Sequence, residues 1–348
     1  MSGPRRIVIV ALGAICAVAV VAFPAHPNPA RTLAVYGYYV DDDSNSWATV
    51  QSQGQRLTGI ITTSFTVDSS GRIVGTHDAR VVDLARSRGS KVHARVANFV
   101  GDGWSREVAH AVLTDPDAQT RALTEMLQIL DRYGYDGIHL HLENVTPGDR
   151  RALTSFVGEL GSRVHARGKA VTVAVPAKMR DQPANDWSGA FDYRALAGAS
   201  DWLVIMAYDE HWSGSRPGPV ASLPWVEVVL RYAAGQVPLQ KLVLGVAFYG
   251  YDWSDGGLGE GVSMREAVAR AARAGVELRW DERAQVPYFM TRRGITYFEN
   301  SRSVELKMAL AVRVGVAGIA AWRLGHELPD VWNAIGTFLK ASTRTASR

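Results

Sequence analysis

Eight short strand-like runs recur between residues 33 and 322, and most are separated by stretches with helical periodicity. They fall near residues 33–40, 57–65, 91–97, 137–142, 169–175, 202–208, 242–248 and 316–322. Strands that alternate with helices pair in parallel, because a hairpin-length turn cannot return the chain in the same direction. Eight such units close on themselves, so the expected fold is α/β, a (β/α)8 TIM barrel. The intervening stretches Asp117–Tyr133 and Pro147–Arg167 are amphipathic. The second has Asp149 and Arg150 early and Arg163, His165 and Arg167 late, and a late cluster of cations suits the helix dipole.

One gap breaks the rhythm. About fifty residues, roughly 252–300, separate the seventh and eighth runs, too long for a bare connection. A helical run (Met264–Ala274) and strand-like pieces (Val276–Trp280, Pro287–Met290, Ile295–Glu299) predict a small α+β insertion walling one side of a cleft. The organisation expected is a barrel over 33–341 with that insertion, preceded by a linker at 26–32 and followed by a tail at 342–348.

The fourth run holds the densest chemistry. Tyr135-Asp136-Gly137-Ile138-His139-Leu140-His141-Leu142-Glu143 places His139, His141 and Glu143 at alternate positions, hence on one face of a strand. Polar groups facing a packed barrel interior are costly unless paired, and catalytic groups sit at the C-terminal ends of barrel strands. Glu143 stands at that end.

Residues 1–25 read as a secretory signal: Arg5 and Arg6, an apolar run from Ile7 to Phe23, then Pro24-Ala25. Small residues around Ala22 and Ala25 permit cleavage; an uncleaved anchor is the alternative, with membrane contact confined to residues 7–23. Either route puts the protein outside the cell or in its envelope. Cys16, the single cysteine of the 348 residues, lies in this segment, so the exported part has no disulfide, zinc-cysteine site or thiol nucleophile. Of 38 basic residues two fall in the first 25, leaving 36 against 34 acidic ones, a net +2 that gives no sign of nucleic-acid binding.

Several longer motifs then carry a resemblance. YDGIHLHLENV, VPAK (175–178), DWSGAFDY (186–193), MAYDEHWSGSRPGPVASLPWV (206–226), VAFYGYDW (246–253) and AWRLGHELPDVW (321–332) follow one another at expected strand ends. From about Tyr36 to Leu339 the chain resembles glycoside hydrolase family 18, most closely its bacterial spore-cortex-lytic N-acetylglucosaminidases and the related chitinases. The resemblance implies an exported glycosidase acting on β-1,4-linked N-acetylglucosamine polymers, peptidoglycan ahead of chitin, without cofactor or metal. It implies retaining hydrolysis in which the substrate's acetamido oxygen attacks the anomeric carbon and Glu143 serves as acid and base. Tyr208 and Asp209, after Met206, match the residues that hold the acetamido group. Trp322 matches the floor under the sugar, and Tyr36, Trp212 and Trp253 are candidate wall aromatics. Asp136 and His139 are supporting residues. Trp104, Trp187, Trp202, Trp225, Trp280 and Trp332 are expected in packing, and Asp41-Asp42-Asp43 in a solvated loop.

The chain departs from the family at one position. His141 stands where the pattern D-G-x-x-x-D-x-E has its second aspartate, which accepts the acetamido N–H. A neutral imidazole can still accept if its other nitrogen donates to His139, but it brings no negative charge. Losing such a partner costs about 10² to 10³ in turnover. Weak or alkaline-shifted activity is therefore expected, with a non-catalytic, lectin-like barrel as the alternative and a metal-dependent hydrolase using His139, His141 and Glu143 as a second.

Overall fold

A computed structural model describes residues 33–254 and 256–346, with side chains to residue 339. The expected signal or anchor and the linker lie outside the described residues. Among these, no helix is long and apolar enough to cross a membrane.

Strands β1 (Ala34–Tyr39), β2 (Gly59–Val67), β3 (Lys91–Ala97), β4 (Gly137–His141), β5 (Ala170–Pro176), β6 (Trp202–Met206), β7 (Leu242–Ala247) and β8 (Gly318–Trp322) all pair in parallel. β8 pairs back onto β1, with Ala34 opposite Gly318, which closes the barrel. All eight expected strands are found. Each helix between them buries one stripe. In Pro116–Tyr133 the Asp115 carboxylate caps the Asp117 and Ala118 amides, and Gly134 ends the helix in the left-handed region at φ 71°. Its face of Ala122, Leu123, Met126, Leu127 and Leu130 packs on the barrel's outside, each large side chain contributing about 1.5–3 kcal/mol.

The barrel has two cores. Outward strand residues and the helices form one continuous apolar layer. Tyr36, Tyr38, Ile61, Val204, Val243 and Ala320 form a smaller one inside. The interior also buries His93, Arg95, His139, His141 and Thr172, an unusual polar load for a barrel centre.

The insertion begins earlier than the sequence suggests. Tyr249–Ser254, directly after β7, is the second strand of a five-stranded antiparallel sheet, pairing with Glu260–Ser263 at its edge and with Gly294–Phe298 at its centre. Val286–Met290 and Arg279–Asp281 complete that sheet, and the Met264–Ala274 helix lies against it. Tyr249 to Ser254 alternates aromatic with small or polar residues, so it reads as a tail of β7 until its partners are known. Ile73–Gly75 adds a short antiparallel strand to β2 that the periodicity did not reveal.

Candidate active site

Glu143 lies one step past the end of β4, and its position is fixed through its backbone. The buried Asn98 amide, just beyond β3, accepts from the Glu143 N–H (2.9 Å) and donates to the Glu143 carbonyl (2.8 Å). Asn98 thereby extends the β3–β4 ladder by one rung with a side chain. The next residue, Asn144, turns left-handed (φ 56°), a conformation Asn tolerates, and bends the chain away from the barrel mouth. Arg106 donates to the Asn144 side-chain Oδ1 (2.8 Å) and also to Asp186 (2.8 Å), which ties the DWSGAFDY loop to this turn. The VPAK loop is anchored likewise, by Lys178 donating to the Phe191 carbonyl (2.6 Å) and to Asp181 (2.8 Å).

His139, His141 and Glu143 share the interior face, as alternation predicts, yet the two imidazoles do not pair. Their rings meet edge to face at 5.9 Å. His139 instead has Tyr38 Oη at 2.9 Å from Nε2 and Thr172 Oγ1 at 2.8 Å from Nδ1, so both its nitrogens are taken. His141 Nε2 lies 2.7 Å from Glu143 Oε1, and its Nδ1 is buried with no partner. This corrects the His139–His141 hydrogen bond considered from sequence: His139 is taken by Tyr38 of β1 and Thr172 of β5, and His141 by Glu143. It also removes His139 as a metal ligand. Among the described residues, no three His, Asp or Glu side chains converge as a metal site would need.

Burial sets the electrostatics. Desolvation pushes the Glu143 carboxyl up to about 7, with the Arg95 guanidinium pulling the other way. Desolvation, with Arg95 adding repulsion, holds His141 well below the usual imidazole range, and His139 likewise. Glu143 is thus a carboxylic acid with a substantial protonated fraction at neutral pH, beside an uncharged imidazole.

Above this pair stand aromatic walls. Trp322 ends β8 with its ring 5.0 Å from Tyr38 and 6.3 Å from His141. Trp104, expected in packing, lies with its ring 4.8 Å from that of His141, on the side of Glu143's strand. Met206 ends β6, buried on the inward face. Tyr208 reaches the mouth past Gly245, where a Cβ would meet the Ile205 carbonyl at 2.6 Å and the Tyr208 ring at 3.0 Å. Asp209 follows in the left-handed region (φ 61°), repeating the turn after Glu143. Asp209 Oδ1 accepts from Tyr249 (2.5 Å) and Tyr251 (3.1 Å), both from the insertion. Although open to solvent through the mouth, Asp209 is ringed by protein and its pKa rises to about 6, the two hydroxyls opposing the shift.

Three expected residues lie elsewhere. Tyr36 points to the barrel's opposite end, its ring 5.0 Å from Trp202 and against Gly59; Tyr38, two residues on, takes the wall position. Asp136 is also at the base, where it accepts from the Val92 amide (2.9 Å) and pairs with Lys91 (3.0 Å). Trp253 is buried within the insertion, whereas Trp212 stays exposed on the lip. Of the acidic run, Asp43 caps the Ser44–Gln53 helix and pairs with Arg323 at 3.1 Å. Sequence reasoning missed Tyr38, Arg95, Asn98, Tyr249 and Tyr251. The even-numbered alternation of β1 and the odd-numbered alternation of β3 could have pointed to the first two.

The chain is thus a closed parallel barrel with the largely enclosed Glu143 carboxyl one step past its fourth strand, between aromatic side chains. The model of glycosyl hydrolases family 18 matches residues 34–327, and the chain belongs to that family. It is 32% identical over 257 residues to the putative sporulation-specific glycosylase YdhD of Bacillus subtilis, an alignment covering 71% of this chain and 61% of the relative. The chain thus spans about three-fifths of that relative's length. The spore cortex-lytic enzyme SleL of Bacillus cereus superposes with a TM-score of 0.80 at 26% identity, over 88% of this chain and 74% of SleL. A chitinase from Chromobacterium violaceum superposes with a TM-score of 0.80 at 30% identity, over 88% and 99% respectively.

Proposed function

We propose that this glycosidase is an exported hydrolase of β-1,4-linked N-acetylglucosamine polymers, peptidoglycan in preference to chitin, working with substrate assistance and Glu143 as acid and base. The observation that carries the reading is the His141–Glu143 contact with His141 Nδ1 left unpaired. If the imidazole proton sits on Nε2 it donates to Glu143 Oε1, and Oε2 remains to carry the acid proton. Nδ1 is then a buried acceptor in need of a donor, which the acetamido N–H supplies. The acetamido oxygen attacks C1 as the C1–O bond breaks. The leaving oxygen keeps that bond's electron pair and takes the Glu143 proton. Water, giving a proton back to Glu143, then opens the oxazolinium ring from the same face as the departed group.

Similarity to a cortex-lytic enzyme supports the peptidoglycan preference, and the basic, apolar start of residues 1–25 supports export. A second reading, a sugar-binding barrel without turnover, draws on the missing aspartate at 141. The metal-dependent reading loses its support with both His139 nitrogens engaged.

Turnover of a fluorogenic N-acetylglucosamine oligosaccharide by wild type, Glu143→Gln and His141→Asp tests the proposal. Wild-type hydrolysis that falls about 10²–10⁴-fold in Glu143→Gln is expected. Binding without wild-type turnover, and activity only in His141→Asp, would leave the binder reading standing instead.

A further inference from the structure

Arg95 is an interior residue that the proposed reaction does not use and that, unlike His93, His139 and Thr172, has no hydrogen-bond partner among the described residues. It projects inward from β3, opposite His139 in the β3–β4 ladder, and is 6% exposed. Its Cζ lies 5.7 Å from the Trp104 ring centre and 5.8 Å from that of Trp322, so the guanidinium sits between the two rings. No hydrogen bond or ion pair reaches it from any described residue, and its Nε is buried without a partner. Glu143 and Asp41 attract it from a distance without contact, and the neighbouring imidazoles are uncharged.

A guanidinium presents five donors in a planar fork suited to a carboxylate. Cation–π contact with two rings offsets part of its desolvation but satisfies none of those donors. A buried charge left in this state calls for an anion. The space available to that anion is the mouth of the barrel, where the sugar would lie on Trp322.

From this geometry we infer that Arg95 is an anion-reading residue, and that the preferred glycan carries a carboxylate on the sugar at or beside the scissile bond. The inference rests on the glycan-hydrolase reading and narrows its substrate from β-1,4-linked N-acetylglucosamine polymers in general to those that carry a free carboxylate. The carboxylate could be a lactyl ether freed of its peptide or a uronic acid; both offer two oxygens to the fork. Pairing with it would neutralise the cation that draws down the Glu143 pKa, so the same contact would favour the acid form.

Calorimetric binding and turnover would be measured for wild type, Arg95→Gln and Arg95→Lys. The probes are a neutral N-acetylglucosamine tetramer, a lactyl-bearing alternating glycan without peptides, and a glucuronate-containing alternating tetramer. Wild type should bind at least one acidic glycan about tenfold or more tightly than the neutral one, as hydrogen bonds to charged groups imply. The acidic glycan that wins identifies the carboxylate's source. Arg95→Gln should bring that ratio close to one, and Arg95→Lys should keep part of it. Equal or weaker binding of both acidic glycans by wild type overturns the inference, as does a preference that survives in Arg95→Gln. Cleavage of the neutral tetramer with no acidic preference would sink the anion site and leave the hydrolase standing. Acidic binding with no cleavage of any glycan would do the reverse, and no binding of any probe would sink both.

Discussion

At Glu143 a carboxyl is held in a place that disfavours its ionised form, and this has consequences for both stability and rate. Its pKa rises from 4.5 to about 7 on folding, so stability present below pH 4.5 is lost as pH climbs through 7. Glu143→Gln should therefore be more stable than wild type above pH 7, by up to about 3 kcal/mol, and indistinguishable near pH 4. Urea unfolding at the two pH values checks this; a variant equally or less stable at pH 8 would contradict it. The same value predicts that kcat/KM falls above about pH 7 as the acid form disappears. Because Arg95 favours the carboxylate, Arg95→Gln should move that limb to higher pH. Asn98→Ala removes the side-chain rung behind Glu143. It should lower kcat about tenfold or more with little change in KM, since it displaces the acid rather than the sugar platform.

Elements show how much of the site could be read in advance. The alternation of β4 was enough to put His139, His141 and Glu143 on one face. What it could not supply was partner identity, because that depends on which strands flank β4 and how far they twist. Hence His139 turns to Tyr38 and Thr172, and the histidine pair expected from sequence does not form. Tyr36 was misplaced for a related reason. It shares a face with Tyr38 but sits about 7 Å nearer the barrel base, a depth that alternation does not encode. The insertion was legible through its helix, while its first strand was hidden in the run after β7. That insertion leads into the Ser301–Val314 helix through a buried ion pair, Glu299 with Lys307 at 2.7 Å, with Ser303 donating to the same carboxylate. Lys307→Met should cost about 3–5 kcal/mol by leaving Glu299 uncompensated, and Glu299→Leu in the same chain should restore most of it. Thermal or urea denaturation of the single and double variants measures both effects.

For the molecule as a whole, the eight-strand count, the parallel pairing and the family followed from the spacing of apolar runs and from several long motifs in order. The interior charge pattern did not, because Arg95 reads as surface charge until its strand's inward face is known. Once the strands are assembled, the described residues at the mouth of the barrel include the largely enclosed Glu143 carboxyl, the Arg95 guanidinium without a hydrogen-bond partner, neutral imidazoles and flanking tryptophans. That combination suits protonation of a leaving group by Glu143 and departs from the family pattern in how the charge beside it is arranged. The most direct test is the configuration of the first product, followed by proton NMR during hydrolysis of an N-acetylglucosamine oligosaccharide. Substrate assistance with Glu143 as acid and base predicts that the β-anomer appears first, and that Glu143→Gln yields almost none. Initial release of the α-anomer, or undiminished hydrolysis by Glu143→Gln, would contradict the account.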